Sequence, residues 1–352
     1  MVDEQVRAIR ESAALTWSEH VACLRVEGSD AFEVIDRLST SDLHLRDGQI
    51  LSTLFLDRSG IPIADLHLAR DDEDFILLAE GISGSELRDH ILAHAPEGAH
   101  HEVVDLSESH TILSLNGPYS WEVLAGVAGP EAVGLPYLTF FQLGEVLCFR
   151  TGKTGEYGYD LLIPTEEREG IGTLFDDVGA PFDLTWAGLE ALDLCALENW
   201  FFNIRGEGQF GLSPLELQLQ WRVSTNKTFV GSASLADRRK RGIESRLTFI
   251  QSLAPLESGD RVFHLQEDLG PVLHASHSPT RGDYVGLALL PIEYASSGLN
   301  CFQAVSGNRR SDVNTISPPA IHNRSLFVSA QLHSYHTRHQ FQFPPVAPVS
   351  DG

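Results

Sequence analysis

A single acidic side chain, Asp65, stands in a segment of the chain that is otherwise mostly apolar. The segment reads Ile-Pro-Ile-Ala-Asp-Leu-His-Leu over residues 61–68, and such a run is typical of a strand that is buried on both faces. An ionised carboxylate is costly there unless it is paired or faces a polar cavity. Asp65 is therefore a candidate for a carboxylate held in a functional site. The alternative is an aspartate that bonds to a neighbouring backbone or turn.

A glycine-rich loop carries the second candidate, Glu156. Gly152, Gly155 and Gly158 fall within seven residues, between two predicted strands. Glycines allow the backbone to approach a ligand closely. Glu156 could accept hydrogen bonds from the N–H groups of a heterocycle, or it could be the exposed acid of an ordinary hairpin.

Three consecutive aromatic residues, Trp200, Phe201 and Phe202, stand at the end of a predicted helix over 186–200. Aromatic side chains can stack on a planar cofactor. The same residue types also fill hydrophobic cores, so the sequence leaves both interpretations open.

Basic residues form local groups on a chain that is otherwise strongly acidic. Lys153, Lys227 and the cluster Arg238-Arg239-Lys240-Arg241 could receive an anionic substituent of a ligand. For the cluster, the alternative is a solvated linker between two domains.

Neither the histidines nor the cysteines predict a metal or thiol site. The pattern His333-x-x-His336-x-x-His339 lies in a C-terminal segment rich in His, Pro and Gln, whereas a metal site needs an ordered element and a further ligand. The four cysteines are scattered, form no C-x-x-C pair and lie mostly in apolar surroundings, as expected in a reducing compartment. We expect no metal.

The net charge of the chain limits the kinds of molecule that it is expected to bind. Lys and Arg number 25 against 49 Asp and Glu, which gives a formal net charge of -24, and such a surface repels nucleic acid and anionic membranes. No apolar stretch reaches about 18 residues, and the acidic N-terminus does not resemble a signal peptide. We expect a cytoplasmic protein that acts on small molecules; the sequence does not identify any protein partner.

The elements that would position these residues predict an α+β fold. Up to about residue 242, strands and helices follow one another with many hairpins, and Ser83 with Glu86 predicts a capping box for a helix over 84–94. Beyond residue 242, short strands separated by turn residues predict a small all-β barrel or sandwich. The predicted regions are 1–240, 241–325 and a tail over 326–352.

The predicted strands and helices have the following bounds. Strands are predicted at 21–27, 50–56, 61–69, 74–80, 111–115, 146–151, 158–163, 246–251, 261–264, 271–276, 284–290 and 300–305. Helices are predicted at 4–16, 30–38, 84–94, 119–127, 166–177 and 186–200. No G-x-G-x-x-G, Walker or G-x-S-x-G motif is present, which disfavours the common nucleotide and hydrolase chemistries.

Several segments, taken in order, resemble the glycine-cleavage T-protein (aminomethyltransferase) family. The closest match covers residues 135–164 and ends in RTGKTGEYGYDLLIP, where the family reads R-T-G-Y-T-G-E-x-G-F-E-I-x-x-P. LFLDRSGIPIADL is similar to the family's N-E-x-G-G-I-x-D-D-L segment. Further matches lie at 22–42, 114–124, 213–231, 269–290 and 315–325. The resemblance covers about residues 12–325.

This resemblance implies three lobes around a central cavity, a C-terminal β-barrel, and transfer of a methyl or aminomethyl group between a small-molecule donor and tetrahydrofolate. Asp65 matches the family's essential aspartate, and Glu156 matches its pterin-binding glutamate. The residues then expected at the cofactor are Glu156, Tyr157, Phe55 and Lys227. Those expected at the substrate pocket are Trp200, Phe201 and Phe202.

Departures from the family pattern leave alternatives open. Ala64 replaces the first Asp of D-D-L, and Leu192 and Ala196 stand where the family has arginines, one of which contacts folate. These changes suit a divergent, demethylase-like member with another one-carbon donor. They also permit an enzyme that uses the same cavity without folate, or a folate-binding or regulatory protein without transferase activity. The K-G-C-x-x-G-Q-E signature of iron–sulphur assembly relatives is absent at 227–234.

Overall fold

The computed structural model describes residues 1–347 of the chain. Seven α-helices and seventeen β-strands lie within these residues. The helices are α1 (Val2–Glu11), α2 (Ala31–Leu38), α3 (Gly84–His94), α4 (Ser120–Ala128), α5 (Arg168–Gly179), α6 (Leu189–Asn199) and α7 (Ser232–Arg241). None of them is long and apolar enough to cross a membrane.

The strands, in chain order, are β1 (Ala14–Trp17), β2 (Ala22–Glu27), β3 (Ile50–Leu56), β4 (Pro62–Asp71), β5 (Asp74–Glu80), β6 (Glu102–Asp105), β7 (His110–Asn116), β8 (Phe140–Leu143), β9 (Val146–Phe149), β10 (Gly158–Pro164), β11 (Thr185–Trp186), β12 (Ser245–Ser252), β13 (Arg261–His264), β14 (Glu267–Ser278), β15 (Asp283–Pro291), β16 (Phe302–Ser306) and β17 (Arg309–Thr315).

The first lobe is a five-stranded antiparallel sheet with the order β3-β4-β5-β2-β6. Successive side chains of a strand point to opposite faces. On β4, Ala64, Leu66 and Leu68 pack in one apolar cluster with residues of α2 and α3. Ala69 belongs to a different cluster, which joins this sheet to the second one. Asp65 shares the face of Ala69, so strand alternation directs its carboxylate between the two lobes.

The second lobe is a six-stranded sheet with the order β11-β1-β7-β10-β9-β8. Strand β1 corrects the prediction of one helix over 4–16, because α1 ends at Glu11 and Ala14–Trp17 pairs with β7 and β11. Pairing with a strand on each side determines the conformation of this segment. Helices α1 and α6 pack against each other in a cluster that also contains barrel residues.

The third lobe is a closed barrel with the strand order β12-β15-β14-β13-β16-β17, which confirms the barrel over the sandwich. Strand β17 was not predicted. Its inward positions include Ser311, Val313 and Thr315, so two of the three are polar and the apolar alternation of a strand is missing. The predicted helix 84–94 and its Ser83 capping box are confirmed.

The C-terminal segment, predicted as a tail, packs back on the second lobe over the residues that the structure describes. Tyr335 is buried beside Tyr119, with ring centroids 5.5 Å apart, and its backbone N–H donates to Glu122 at 2.9 Å. Residues 348–352 of the predicted tail lie outside the described residues. The boundary at residue 325 stays a prediction.

Candidate active site

The carboxylate of Asp65 lies between the lobes and is paired with two cations. The residue is 4% exposed. Lys153 Nζ donates to Oδ2 at 2.7 Å and Arg222 Nη2 donates to Oδ1 at 2.5 Å. Arg222 Nη2 also donates to the carbonyl of Thr53 at 2.7 Å, which fixes the guanidinium against β3. The structure therefore decides the open question from the sequence: Asp65 is an ion-paired carboxylate and not a turn residue.

The surroundings of Asp65 keep it charged. Burial alone would raise the pKa of this carboxyl, but Arg222 and then Lys153 outweigh burial and hold its pKa well below its usual range. At neutral pH the group is therefore an anion inside the protein.

A second carboxylate, Glu80, lies opposite Asp65 on the neighbouring strand β5. Like charges that face each other across strands repel, and Lys153 Nζ separates them by donating to Glu80 Oε1 at 2.6 Å. Arg205 Nε lies 3.5 Å from the other oxygen of Glu80, while its Nη2 donates to Asp193 at 2.6 Å. Burial raises the pKa of Glu80, but Lys153 reverses this and the net shift is downward. An alternating network of acids and bases thus surrounds Asp65.

The glycine-rich loop between β9 and β10 delivers Lys153 to this network. Gly152 and Gly155 have φ values of +146° and +80°, which residues with a Cβ rarely adopt. A Cβ on Gly158 would lie 2.2 Å from the carbonyl oxygen of Thr151. The sequence predicted that these glycines let the backbone approach a ligand closely. In the structure, the glycines are needed for the loop to pack on itself, and the resulting conformation places Lys153 beside Asp65.

Two cavities meet at Asp65. The first, here called the polar cavity, has about 770 Å³ of space including its mouth and is lined by Ser18, His20, Glu80, Asn116, Asp160 and Asp193, among others. The second, the aromatic cavity, has about 990 Å³ including its mouth and is lined by Tyr137, Trp200, Phe201, Phe202, Trp221 and Arg222, among others. Asp65, His67, Gly152, Lys153 and Phe202 line both. A group bound in either cavity would therefore lie next to the same carboxylate.

Comparison with known proteins decides the family. Residues 1–227 match the family of the GCVT N-terminal domain. The chain belongs to this family. It is 28% identical over 309 residues to an aminomethyltransferase of Bacillus pumilus, which covers 84% of each chain, and 29% identical over 342 residues to an aminomethyltransferase of Chlorobaculum tepidum, which covers 92% of this chain and 89% of the relative.

The fold agrees with this membership. The crystal structure of the glycine cleavage system aminomethyltransferase T from Bartonella henselae matches with a TM-score of 0.81 at 22% identity, over 90% of this chain and 89% of that one. The predicted T-protein-like α+β fold with a C-terminal barrel is thereby confirmed.

In this member of the GCVT family, the three predicted substrate-pocket aromatics lie together. Trp200, Phe201 and Phe202 all line the aromatic cavity, and Phe202 also lines the polar one. Trp200 ends α6 in the left-handed region at φ +56°, and its ring packs on Phe249 of the barrel. The aromatic cavity is thus built where α6 meets the barrel.

Glu156 and Tyr157, predicted at the cofactor, lie outside the lining described for both cavities. The carboxylate of Glu156 is buried and accepts hydrogen bonds from Ser325 N at 2.8 Å and Oγ at 2.6 Å, and it pairs with Arg10 at 3.4 Å. Tyr157 donates its hydroxyl to the carbonyl of Val328 at 2.8 Å. Both side chains therefore point toward the C-terminal segment, and their role at a cofactor stays a prediction that this geometry does not favour.

Phe55 and Lys227, the other two residues predicted at the cofactor, also lie outside these linings. Phe55 is fully buried in the core beneath α2 and α3. Lys227 Nζ donates to Asp36 at 2.5 Å and to the carbonyl of Ser41 at 2.9 Å. Their cofactor contacts likewise stay predictions, since one ring is inaccessible and the other side chain is already paired.

Sequence reasoning missed Glu80, Arg205 and Arg222, and it considered Lys153 only as part of a basic patch. The available signal for Lys153 was its place in R-T-G-K-T-G-E, where the family pattern has tyrosine. No grouping of three or more His, Cys, Asp or Glu side chains among residues 1–347 could hold a metal ion.

The ion pair with Lys153 predicts that the pKa of Asp65 changes measurably when the lysine is replaced. Replacing Lys153 with methionine removes one of the two cations, so the pKa of Asp65 should rise. A carboxyl with a depressed folded pKa stabilises the protein above its unfolded value of about 3.9, and this contribution is lost as pH falls through the folded pKa. In the Lys153→Met variant this contribution should therefore be smaller, and its loss should be complete at a higher pH than in the wild type.

A carbon-detected NMR titration of selectively labelled aspartate would measure this shift. Lys227→Met is the matched control, because Lys227 is also paired with an aspartate but does not contact Asp65. Identical Asp65 titration curves in wild type and Lys153→Met would show that the ion pair does not form in solution.

Proposed function

We propose that this protein transfers a one-carbon group, methyl or aminomethyl, between a small-molecule donor and tetrahydrofolate, with Asp65 as the catalytic residue. One observation carries the proposal: a buried, ionised carboxylate is shared by two adjoining cavities in a member of the GCVT family. The curated relatives named aminomethyltransferase support the reaction class.

The residues of the polar cavity fit a heterocycle that is rich in N–H groups. Glu80, Asp160 and Asp193 bring carboxylates to its lining, and Asn116 adds an amide. An ionised carboxylate has about four acceptor sites, so those that already receive hydrogen bonds from the protein still have capacity for a ligand. Apolar Leu78 and Ile112 also line the cavity and provide surface against which a planar ring could pack.

Tetrahydrofolate supplies the nitrogen that takes up or releases the one-carbon group. Asp65 stabilises the positive charge that develops on the transferred carbon, and it does so without reorganisation because Lys153 and Arg222 hold it in place. Its depressed pKa makes it a poor proton carrier at neutral pH. The geometry therefore favours electrostatic stabilisation over proton transfer as the role of Asp65. The aromatic walls limit water near the reacting carbon.

A specific observation supports a second candidate, an enzyme that uses the same cavities without folate. Leu192 and Ala196 both line the polar cavity, and the resemblance to the T-protein family places arginines at these positions. Arg205, from the loop that follows α6, brings a guanidinium to the same cavity from a different position. We favour folate because this cation and the acceptor groups together still offer polar contacts for a pterin.

Two experiments separate the candidates. The first is titration calorimetry with tetrahydrofolate under anaerobic conditions. The second is product analysis with methylated amines, sulphonium compounds and aryl methyl ethers as one-carbon donors. The proposal predicts saturable heat and a methylated or methylene-bearing folate product with one donor class. Absence of heat would favour the folate-free enzyme. Saturable binding without product from any donor would favour a folate-binding protein that lacks transferase activity.

A further inference from the structure

The C-terminal segment holds the glycine-rich loop that carries Lys153. Its residues 323–328, here called the clasp, follow the barrel and lie against the end of the loop. The Oγ atom of Ser325 accepts from the N–H of Tyr157 at 2.8 Å and donates to Glu156 Oε2 at 2.6 Å. The N–H of Ser325 donates to the same carboxylate oxygen at 2.8 Å. One clasp residue therefore ties down two consecutive loop residues, through both its backbone and its side chain.

The carboxylate of Glu156 is the main attachment point of the clasp. Besides the two hydrogen bonds from Ser325, it accepts one from the N–H of Arg324 at 3.1 Å, and it pairs with Arg10 of α1 at 3.4 Å. Hydrogen bonds to a charged acceptor are about twice as strong as neutral ones. The side chain of Glu156 is fully buried, so water does not compete for these bonds while the segment stays in place.

Thr154, which directly follows Lys153, is held by the same group of residues. Its carbonyl accepts from Arg10 Nη1 at 2.5 Å and from Asn199 Nδ2 at 2.9 Å. Asn323 of the clasp in turn donates from Nδ2 to Asn199 Oδ1 at 2.6 Å. The clasp therefore acts on the backbone next to Lys153 as well as on the end of the loop.

The composition of the loop makes such contacts necessary. Gly152 and Gly155 lie on either side of Lys153, and glycine restricts the backbone less than any other residue. A backbone of this kind keeps a single conformation when neighbouring elements hold it. The position of Lys153 Nζ, which donates to Asp65 and Glu80, thus depends on what holds the residues that follow it.

We propose that Ser325 is a positioning residue of the active site: by holding Glu156 and Tyr157, it fixes the loop so that Lys153 stays between Asp65 and Glu80. Ser325 is not among the described residues that line the polar or the aromatic cavity, so it acts through the loop and not on a ligand. The effect on turnover rests on the proposed function, whereas the effect on Asp65 does not need a substrate.

A carbon-detected NMR titration of Asp65 in the full-length protein tests the inference. Ser325→Ala removes both hydroxyl contacts and keeps the backbone hydrogen bond to Glu156. Lys153 should then spend less time beside Asp65, so the pKa of Asp65 should rise, by less than in Lys153→Met. The same substitution made in the Lys153→Met background should leave this pKa unchanged, because the lysine that it positions is absent.

Turnover is the second measurement. Ser325→Ala should lower the rate of one-carbon transfer about two- to tenfold, an effect of the size of one hydrogen bond, with little change in KM for tetrahydrofolate. Ser329→Ala is the matched control in the same segment, because the Ser329 hydroxyl accepts from the N–H of Gln331 at 3.4 Å and forms no hydrogen bond with the loop among residues 1–347. It should behave as the wild type in both measurements.

The two measurements separate this inference from the proposed function. An unchanged pKa of Asp65 in Ser325→Ala, or an equal rise with and without Lys153, would overturn the positioning role whatever the turnover. A rise that requires Lys153, together with wild-type turnover, would support the positioning role and contradict the use of the Asp65–Lys153 pair in the reaction.

Discussion

Replacing Asp65 with asparagine is expected to lower turnover about 10²- to 10³-fold while the protein stays folded. Removal of one preorganised electrostatic partner from an active site typically has an effect of this size. Asparagine keeps the shape of the side chain and an acceptor oxygen for Lys153 or Arg222, but it removes the negative charge that both cations hold in position. The rate of one-carbon transfer to tetrahydrofolate, with the donor found by product analysis, gives the measurement.

The control for this substitution is Asp71→Asn, at the other end of the same strand. Asp71 pairs with Arg25 at 2.9 Å at the surface and should be nearly silent, because exposed ion pairs contribute little. Circular dichroism of both variants checks the fold. Near-normal turnover of Asp65→Asn would show that the charge is not used in the reaction.

The second large effect is expected on stability, from Arg10→Met. Arg10 lies where the lobes meet: it donates to Glu198 at 2.7 Å and 3.1 Å, to the carbonyl of Thr154 at 2.5 Å and to Asn323 at 3.2 Å, and it pairs with Glu156. Methionine fills similar space but leaves two buried carboxylates without their cation. Breaking a buried ion pair in this way costs about 3–5 kcal/mol, which denaturant-induced unfolding would report as a lower free energy of unfolding.

Arg7→Met provides the comparison, since Arg7 lies on the same helix α1 and is exposed. Its free energy of unfolding should match that of the wild type. A loss below about 1 kcal/mol for Arg10→Met would mean that water or a shift of α1 compensates both carboxylates, contrary to the close packing of Arg10 against Glu198 and Glu156.

The strands and helices that were predicted correctly are those whose residue pattern along the chain matches their burial in the folded protein. The interior of strand β4 is apolar on both faces because α2 and α3 cover one side and the second sheet covers the other, so the acidic Asp65 was conspicuous there. The capping box at Ser83 is also a local feature. Residues 12–16 were wrongly predicted as helix because the conformation of this segment depends on pairing with β7 and β11, which no local pattern reports.

The partners of Asp65 could not be predicted for a related reason. Lys153 is 88 residues away and Arg222 is 157 residues away along the chain, and only the packing of three lobes brings them together. Glu156 shows the converse case. It has the residue type and loop context of a binding residue, but the turn of the loop directs Lys153 into the cavities and Glu156 toward Ser325 and Arg10.

A crystal structure of the protein with bound tetrahydrofolate would test the central claim most directly, which is that Asp65 is an anion beside the reacting atoms. We predict the heterocycle in the polar cavity, with its reactive nitrogen close to the Asp65 carboxylate. Density for the folate at a site that Asp65 does not line would contradict the account.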